Sequence, residues 1–464
     1  MTTLMRCLYC GLLQDEPPGV KECSRCGGEL TYESQPTTPE EDSYLQIQME
    51  LDQVQAPAGR NLERYLLITL RTPVQVPAKY MPQTEKGRPS VNFTAVLDVS
   101  GSMQGEKIHQ AKEAVRQSLR YLNQGDILAL ITFSDDSRCI MEPASLNQQS
   151  RMVVESALHE MQANGMTALC GGLELGIEKA KMSKQENNLV LMLSDGQANV
   201  GETDLEKIAL RARQARENGL IVSAIGVGMD YNEALLAAVA NQGGGRYYHI
   251  QNPAQIGPYL TGELGEVAAL AVRDLRVELE IPKGAVLLSL TEAYPVEIVD
   301  GITSIHIGAL PSDLELEIPL QLVLPAQPEG SRLSITGEVK YQSPNGTSLH
   351  TKLNRVTIRF VPAKDFQLKG GAVTPVIERV AQHLQAAAVM DVSRAMAVND
   401  AAARQHAQIK KNTLKEYFAL LDDKKATALM EEIDLDAMRA SPAQAKSMVS
   451  NAFRYQRRSK KFDQ

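Results

Sequence analysis

Long apolar runs are missing from this sequence. No stretch of its 464 residues approaches the length needed to cross a bilayer, and the opening MTTLMRCLYCGLL lacks the apolar core of a secretory signal, so a cytoplasmic protein is expected. An excess of one charge is missing too. Forty-eight Lys and Arg stand against 56 Asp and Glu, a net charge of −8, and neither half of the chain is strongly acidic or basic. That balance favours solubility and argues against nonspecific nucleic-acid binding as the main task. No phosphate-cradling loop of the Walker type occurs; Gly243-Gly244-Gly245 lacks the Lys-Ser/Thr and opens onto a strand-like run, which makes it a turn. Cysteine is sparse, six residues in all, but four of them are paired at short spacing.

Two residues separate Cys7 from Cys10, two separate Cys23 from Cys26, and twelve lie between the pairs. Each pair can turn two thiolates toward one centre, with Gly11 and Gly27-Gly28 behind them to permit a tight turn. Two such turns complete the tetrahedral sulfur set that Zn²⁺ accepts. Residues 1–33 are therefore read as a zinc ribbon, and its metal as structural, because four thiolates leave no open coordination position. Two disulfides or a redox pair are the competing readings. The missing secretory signal disfavours the first, and the missing local βαβ pattern disfavours the second. Cys139 and Cys170 are isolated and read as buried structural thiols.

The polar, proline-bearing stretch SQPTTPEEDS marks a linker after the ribbon. In YLQIQMELD, Leu45, Ile47, Met49 and Leu51 alternate with polar residues; together with ERYLLITLR this predicts two half-buried strands over 44–72. Across 91–266 strand-like and helix-like segments alternate, as a mainly parallel, doubly wound α/β sheet requires. From 270 to 362 the period returns to two in DLRVELEIP, ITSIHIGAL, LELEIPLQLVLP, RLSITGEVKYQ and NRVTIRFV, which predicts a β-sandwich. The strands of 44–72 would complete its edges, and the α/β domain would be an insertion between sandwich strands. Residues 373–464 read as a helical region, with Val376, Ile377, Val380, Ala381 and Leu384 at helical spacing and a second helix around AARQHAQIKKNTLKEYFALL. Its basic end, Arg454 to Lys461, reads as a solvated tail. The fold class expected is multidomain: a doubly wound α/β domain, a β-sandwich, a small zinc ribbon and C-terminal helices.

The segment DVSGS follows the apolar run VNFTAVL. Asp98, Ser100 and Ser102 alternate on a turn leaving a buried strand, so one carboxylate and two hydroxyls can converge on a hard cation that prefers oxygen ligands. Thr167, in NGMTAL, and Asp195, at the end of NNLVLML, can reach the same sheet edge, where open α/β sheets place their ligands. A lone Asp-x-Ser-x-Ser is often a solvated turn. Strand, DVSGS, helix, strand, Gly-x-Thr and strand-Ser-Asp-Gly in that order is a stronger signal, and over 91–266 it resembles the von Willebrand factor A (VWA) domain family. The resemblance implies a metal-ion-dependent adhesion site (MIDAS) for Mg²⁺ or Mn²⁺. Ser100, Ser102 and Thr167 would contact the ion through hydroxyls, Asp98 and Asp195 directly or through water, and an open position would accept a partner's carboxylate.

The function expected is that of a cytosolic, Mg²⁺-dependent protein-interaction scaffold, not an enzyme, whose partner presents an Asp or Glu. The resemblance implies an AAA+ ATPase or a multiprotein stress or defence complex as partner. A metal-dependent phosphoryl-transfer enzyme is an alternative with little support, because DVSGS lacks a second carboxylate for an aspartyl nucleophile's acid partner and holds no histidine. His109 and His249, placed near strand ends, read as structural. A second alternative is a coat-like, membrane-trafficking adaptor. The order of zinc element, VWA-type domain, sandwich and helices is similar to that of the inner coat proteins of the secretory pathway, which generally lack such an intact metal site, and layout alone does not settle function.

Overall fold

Blocks of period-two and period-3.6 patterning follow one another along the chain, and the layers of the fold follow those blocks. A computed structural model describes residues 43–81, 90–185, 187–228, 232–250, 270–291, 293–299, 302–367 and 371–398, the backbone of 3–7, 13–16 and 30–32, and the short pieces 414, 417–421, 448–449 and 451–452. Strands β1 (Thr3–Cys7), β2 (Leu13–Glu16) and β3 (Leu30–Tyr32) form a small antiparallel sheet in the order β2-β1-β3, with Cys7 opposite Leu30. The Cys7 side chain and all of Cys10, Cys23 and Cys26 lie outside the described residues, and so does the expected zinc centre. The basic end and most of the second C-terminal helix fall outside them as well.

Three strands, not two, lie within 44–72: β4 (Gln46–Leu51), β5 (Gln55–Pro57) and β6 (Leu62–Arg71). The α/β part itself contains β7 (Val91–Asp98), β8 (Ile127–Phe133), β9 (Ser137–Ser145), β10 (Asn187–Ser194), β11 (Ile221–Val227) and β12 (Gly244–Ile250). Its helices are α1 (Glu106–Tyr121), α2 (Gln148–Glu160), α3 (Leu169–Met182), α4 (Leu205–Glu217) and α5 (Glu233–Gln242). After it come β13 (Leu270–Glu280), β14 (Val286–Ser289), β15 (Val296–Val299), β16 (Ile302–Pro311), β17 (Glu315–Leu324), β18 (Arg332–Gln342), β19 (Ser348–Lys352) and β20 (Val356–Val361), then the helix α6 (Thr374–Val398).

The strands on either side of the α/β part pair with each other. β6 lies antiparallel to β17 from Arg71 opposite Glu315 to Leu62 opposite Leu324, giving a sheet ordered β14-β17-β6-β4. A second sheet runs β15-β16-β13-β18-β20-β5, with β19 added to β18 and β5 parallel to β20. Apolar side chains from both sheets, among them Met49, Leu66, Ile68, Val277, Ile305 and Phe360, meet in one cluster. Burial of this kind stabilises by about 25 cal/mol per Å² of apolar surface and fixes which face of each strand turns inward.

β6 is not half-buried as its sequence suggested. Every residue from Arg64 to Leu70 is buried, because the face away from the shared cluster is covered by α6 and by Leu414, Tyr417 and Phe418. The apolar stripe Val376, Ile377, Val380 and Ala381 of α6 packs there with Tyr65 and Leu67. Farther along α6, Ala386 and Val389 join the core of the α/β part, so one helix touches both bodies. Among the described residues no helix is long and apolar enough to cross a membrane.

The α/β sheet has the order β12-β11-β10-β7-β8-β9, parallel except for β9. β7 and β10 are buried at all eight positions, as central strands with helices on both faces must be. β9 was not foreseen. It is an edge strand with polar residues toward solvent, so its apolar pattern is broken. His109 lies inside α1 and not at a strand end, whereas His249 is a buried residue of β12. Cys170 is buried, but Cys139 is only partly so, and burial together with Glu142 pushes its thiol up to about 11; neither forms a disulfide. α3 lies unusually close to the sheet: a Cβ at Gly172 would fall 2.4 Å from Phe133, and one at Gly176 would fall 2.4 Å from Val96. These glycines set the depth of the helix and hence of the loop that enters it, which carries Thr167.

Candidate metal centre

Parallel strands end on one edge, and the register of β7 and β10 brings their last residues side by side, Leu97 opposite Leu193. Asp98 closes β7 and is buried. Its Oδ1 accepts the Ser100 amide at 2.9 Å, and its Oδ2 accepts the Ser194 hydroxyl at 2.5 Å. The Ser194 oxygen in turn accepts the Gly196 amide at 2.8 Å. After Ser100 the chain makes a 3₁₀ turn, Gly101–Met103, anchored by the buried Met103 side chain, and this turn sets the Ser100 and Ser102 hydroxyl oxygens 3.0 Å apart.

The loop holding Thr167 is tied to both neighbours. Asn164 donates its amide to the Val99 carbonyl at 2.8 Å, and Gly101 donates to the Gly165 carbonyl at 2.9 Å, which fixes this loop against the DVSGS turn. On the other side the Thr167 amide donates to Asn199 Oδ1 at 2.7 Å, and the Asn199 amide returns a bond to the Thr167 carbonyl at 3.1 Å. The Asp135 carboxylate accepts the Met166 amide at 2.9 Å. Gly165 is required at this bend: its φ is +84°, and a Cβ would lie 2.4 Å from Asp135 Oδ2.

All five residues read from the sequence thus lie on this edge. Asp98, Ser100 and Ser102 share one turn, Thr167 sits in a loop bonded to it, and Asp195 follows the serine that bonds Asp98. Ser102 is partly exposed and the other four are buried. Ser194 belongs to the Ser-Asp-Gly motif read from the sequence, but three participants were not foreseen: Asn199, Asp135 and Lys107, whose Nζ lies 3.2 Å from Asp195 Oδ2. Asn199 lies four residues past the motif residue Asp195, and nothing in the sequence marks its side chain as inward. Lys107 belongs to a helix with several basic residues, and no pattern sets it apart.

Electrostatics favour a cation here. Burial pushes the Asp98 carboxyl up to about 6, Asp195 adds to the rise, and the bonds from Ser100 and Ser194 oppose it. The bonds to Asp98 come from neutral donors, so its charge is solvated by dipoles alone. Lys107 accompanies Asp195. The nearby oxygens are carboxylate and hydroxyl, with no sulfur or imidazole among the five residues, a donor set that suits Mg²⁺ or Mn²⁺ better than softer ions. Among the described residues no group of three or more His, Cys, Asp and Glu is placed to hold a metal, so an ion at this edge would depend on hydroxyls as much as on carboxylates.

Residues 92–261 match the model of the von Willebrand factor type A domain. The chain is 29% identical over 229 residues to the uncharacterized protein YfbK of Escherichia coli, an overlap of 48% of this chain and 38% of that protein. It is 33% identical over 234 residues to human inter-alpha-trypsin inhibitor heavy chain H3, covering 47% of this chain and 25% of that one. The chain therefore spans about a quarter to two fifths of the length of these curated relatives. A solved structure, a von Willebrand factor type A protein from Catenulispora acidiphila, aligns with a TM-score of 0.63 at 17% identity over 89% of this chain and 97% of that one. That likeness is one of fold, and it reaches well past the α/β part.

Proposed function

Because the chain carries a VWA domain at 92–261, a kind of domain known for protein interaction and adhesion, we propose that it binds a protein partner through an acidic side chain presented to the edge at Asp98. The observation that carries this reading is the buried Asp98 carboxylate, bonded by neutral donors and set beside a second buried carboxylate. Asp98, Ser100, Ser102, Thr167 and Asp195 would hold Mg²⁺ or Mn²⁺, and the ion would supply an open coordination position for the partner's Asp or Glu. The chain's own residues do the positioning. Asp135 and Gly165 shape the loop that presents Thr167, and Met166, 48% exposed, gives that loop an apolar tip beside the site.

In this reading the protein is a cytosolic scaffold and the edge binds without transforming its ligand. The partner class proposed is an AAA+ ATPase or another member of a multiprotein stress or defence complex. Residues 1–33 would add a structural Zn²⁺ on Cys7, Cys10, Cys23 and Cys26. Affinity capture from the native cell, with wild type and Asp98→Ala in Mg²⁺ and in EDTA, tests the central claim. The same partner should be retained by wild type in Mg²⁺ alone. Undiminished retention in EDTA would move the interface off this edge.

A further inference from the structure

We propose that Lys107 supplies the positive charge that helps the metal-loaded edge draw a carboxylate as its ligand. This rests on the reading above that a divalent cation occupies the edge. Lys107 is the second residue of α1, and its Nζ reaches Asp195 Oδ2 at 3.2 Å. The Asp195 side chain has no exposed surface and that of Lys107 is 16% exposed, so water screens the pair weakly. The path of the lysine stem is shaped for it. It passes over Gly228, just after β11, where a Cβ would lie 2.6 Å from Lys107 Cε and 3.1 Å from Cδ. A Cβ at 228 would make the stem shift from this path, and the φ of +91° there suits glycine for a second reason.

Charge counting gives the consequence. Asp98 and Asp195 contribute two negative charges, while the hydroxyls of Ser100, Ser102 and Thr167 contribute none. A divalent cation would bring that set to zero, and a neutral site has little electrostatic preference for an anion. Lys107 adds one positive charge beside that neutral set and offsets the Asp135 carboxylate at the Thr167 loop, so it strengthens the pull on an incoming carboxylate. The same lysine repels the metal ion. Removing its charge should therefore push two affinities in opposite directions, tighter for the metal and weaker for the carboxylate. A lysine that merely braced the fold would not separate them.

The test uses the full chain with Mn²⁺ as the metal probe and acetate as the carboxylate probe. Mn²⁺ binding is read from the electron paramagnetic resonance of the free ion, and acetate binding from the loss of water-proton relaxation as coordinated water is displaced. Lys107→Met should bind Mn²⁺ several-fold more tightly and acetate about tenfold more weakly, the scale expected for one unit charge a few ångströms away in a partly screened site. Lys107→Arg, which keeps the charge, should restore acetate affinity toward wild type. Circular dichroism checks folding, and Lys107→Gln replaces the methionine variant if that one is unfolded. Acetate affinity unchanged in a neutral variant, or metal and acetate affinities falling together, overturns the proposal. Wild type that takes up no Mn²⁺, or takes it up equally in Asp98→Ala, overturns the metal-site reading itself, so the two failures are distinct.

Discussion

The Arg216 guanidinium, near the end of α4, donates to the Ile307 carbonyl of β16 at 2.5 Å and thereby joins the VWA domain to the seven-stranded sheet. The same side chain donates to the carbonyls of Ala293 at 2.6 Å and His306 at 2.9 Å, and its plane lies 5.4 Å from the Tyr294 ring centre. One turn earlier on α4, Arg213 pairs with Glu297 on β15. A buried arginine sharing its charge among three main-chain oxygens fixes orientation, because the planar guanidinium holds its N–H donors in a fixed fork.

Arg216→Ala should therefore loosen the joint. The expected loss is about 2–4 kcal/mol, from the charge-assisted bonds removed. Differential scanning calorimetry should resolve separate transitions for the VWA domain and the sheets. A single transition at the wild-type temperature would show that the joint is held elsewhere.

Metal should stabilise the folded chain through Asp98. At free Mg²⁺ a hundredfold above its dissociation constant, mass action adds about 2.7 kcal/mol. Thermal melts with Mg²⁺ and with EDTA should show this gain in wild type and its disappearance in Asp98→Ala. Equal gains in both proteins would place the cation at another site.

Asp52 gives a pH dependence with a defined sign. It is fully buried, accepts the amides of Gln53 at 2.8 Å and Tyr65 at 3.0 Å, and burial pushes it from 3.8 up to about 6 against the pull of Arg64. Between those two values the unfolded chain has lost this proton and the folded chain still holds it. The stability that Asp52 contributes is thus complete below about pH 3.8 and is lost as pH rises through about 6, a change on the order of 3 kcal/mol. Urea titrations at several pH values should show that Asp52→Asn flattens this slope. An unchanged difference between the two proteins from pH 4 to 7 would contradict it.

Helix α6 is locked by charge as well as by apolar packing. Buried Glu317 of β17 meets His383 at 2.8 Å and Arg379 at 3.3 Å, and Arg379 also pairs with Glu50 of β4 at 2.5 Å. Arg379→Met would leave Glu50 without that partner and Glu317 with His383, at a cost of about 1–3 kcal/mol for charge-assisted bonds lost at a partly exposed site. Hydrogen exchange should report lost protection in 374–390. Protection equal to wild type would mean that apolar packing alone holds the helix.

The parts of this fold that are legible in sequence are those whose signal is local. β10 carries the unbroken apolar run Leu189 to Leu193 and β7 a largely apolar one, and Asp98, Ser100 and Ser102 fall within five residues, so strand, turn and oxygen donors can be read together. Thr167 and Asp195 are legible only through the order of elements around them. The full burial of β6 was not legible, because its cover comes from α6, some 300 residues later. Lys107 was hidden for a related reason. Its role depends on where α1 meets the end of β10 and on a side chain that Gly228 does not have. β9 was missed because an edge strand need bury only part of one face.

The pairing of β6 with β17 also has a consequence for how the chain is made. Arg71 and Glu315 meet although they are 244 residues apart. A ribosome adding about 5–20 residues per second releases β6 tens of seconds before its neighbour in the sheet. During that interval β4 and β6 present apolar faces that have nothing yet to cover them. The VWA domain, made of contiguous chain, emerges and can fold in the meantime, so that a layer begun before it closes only after it.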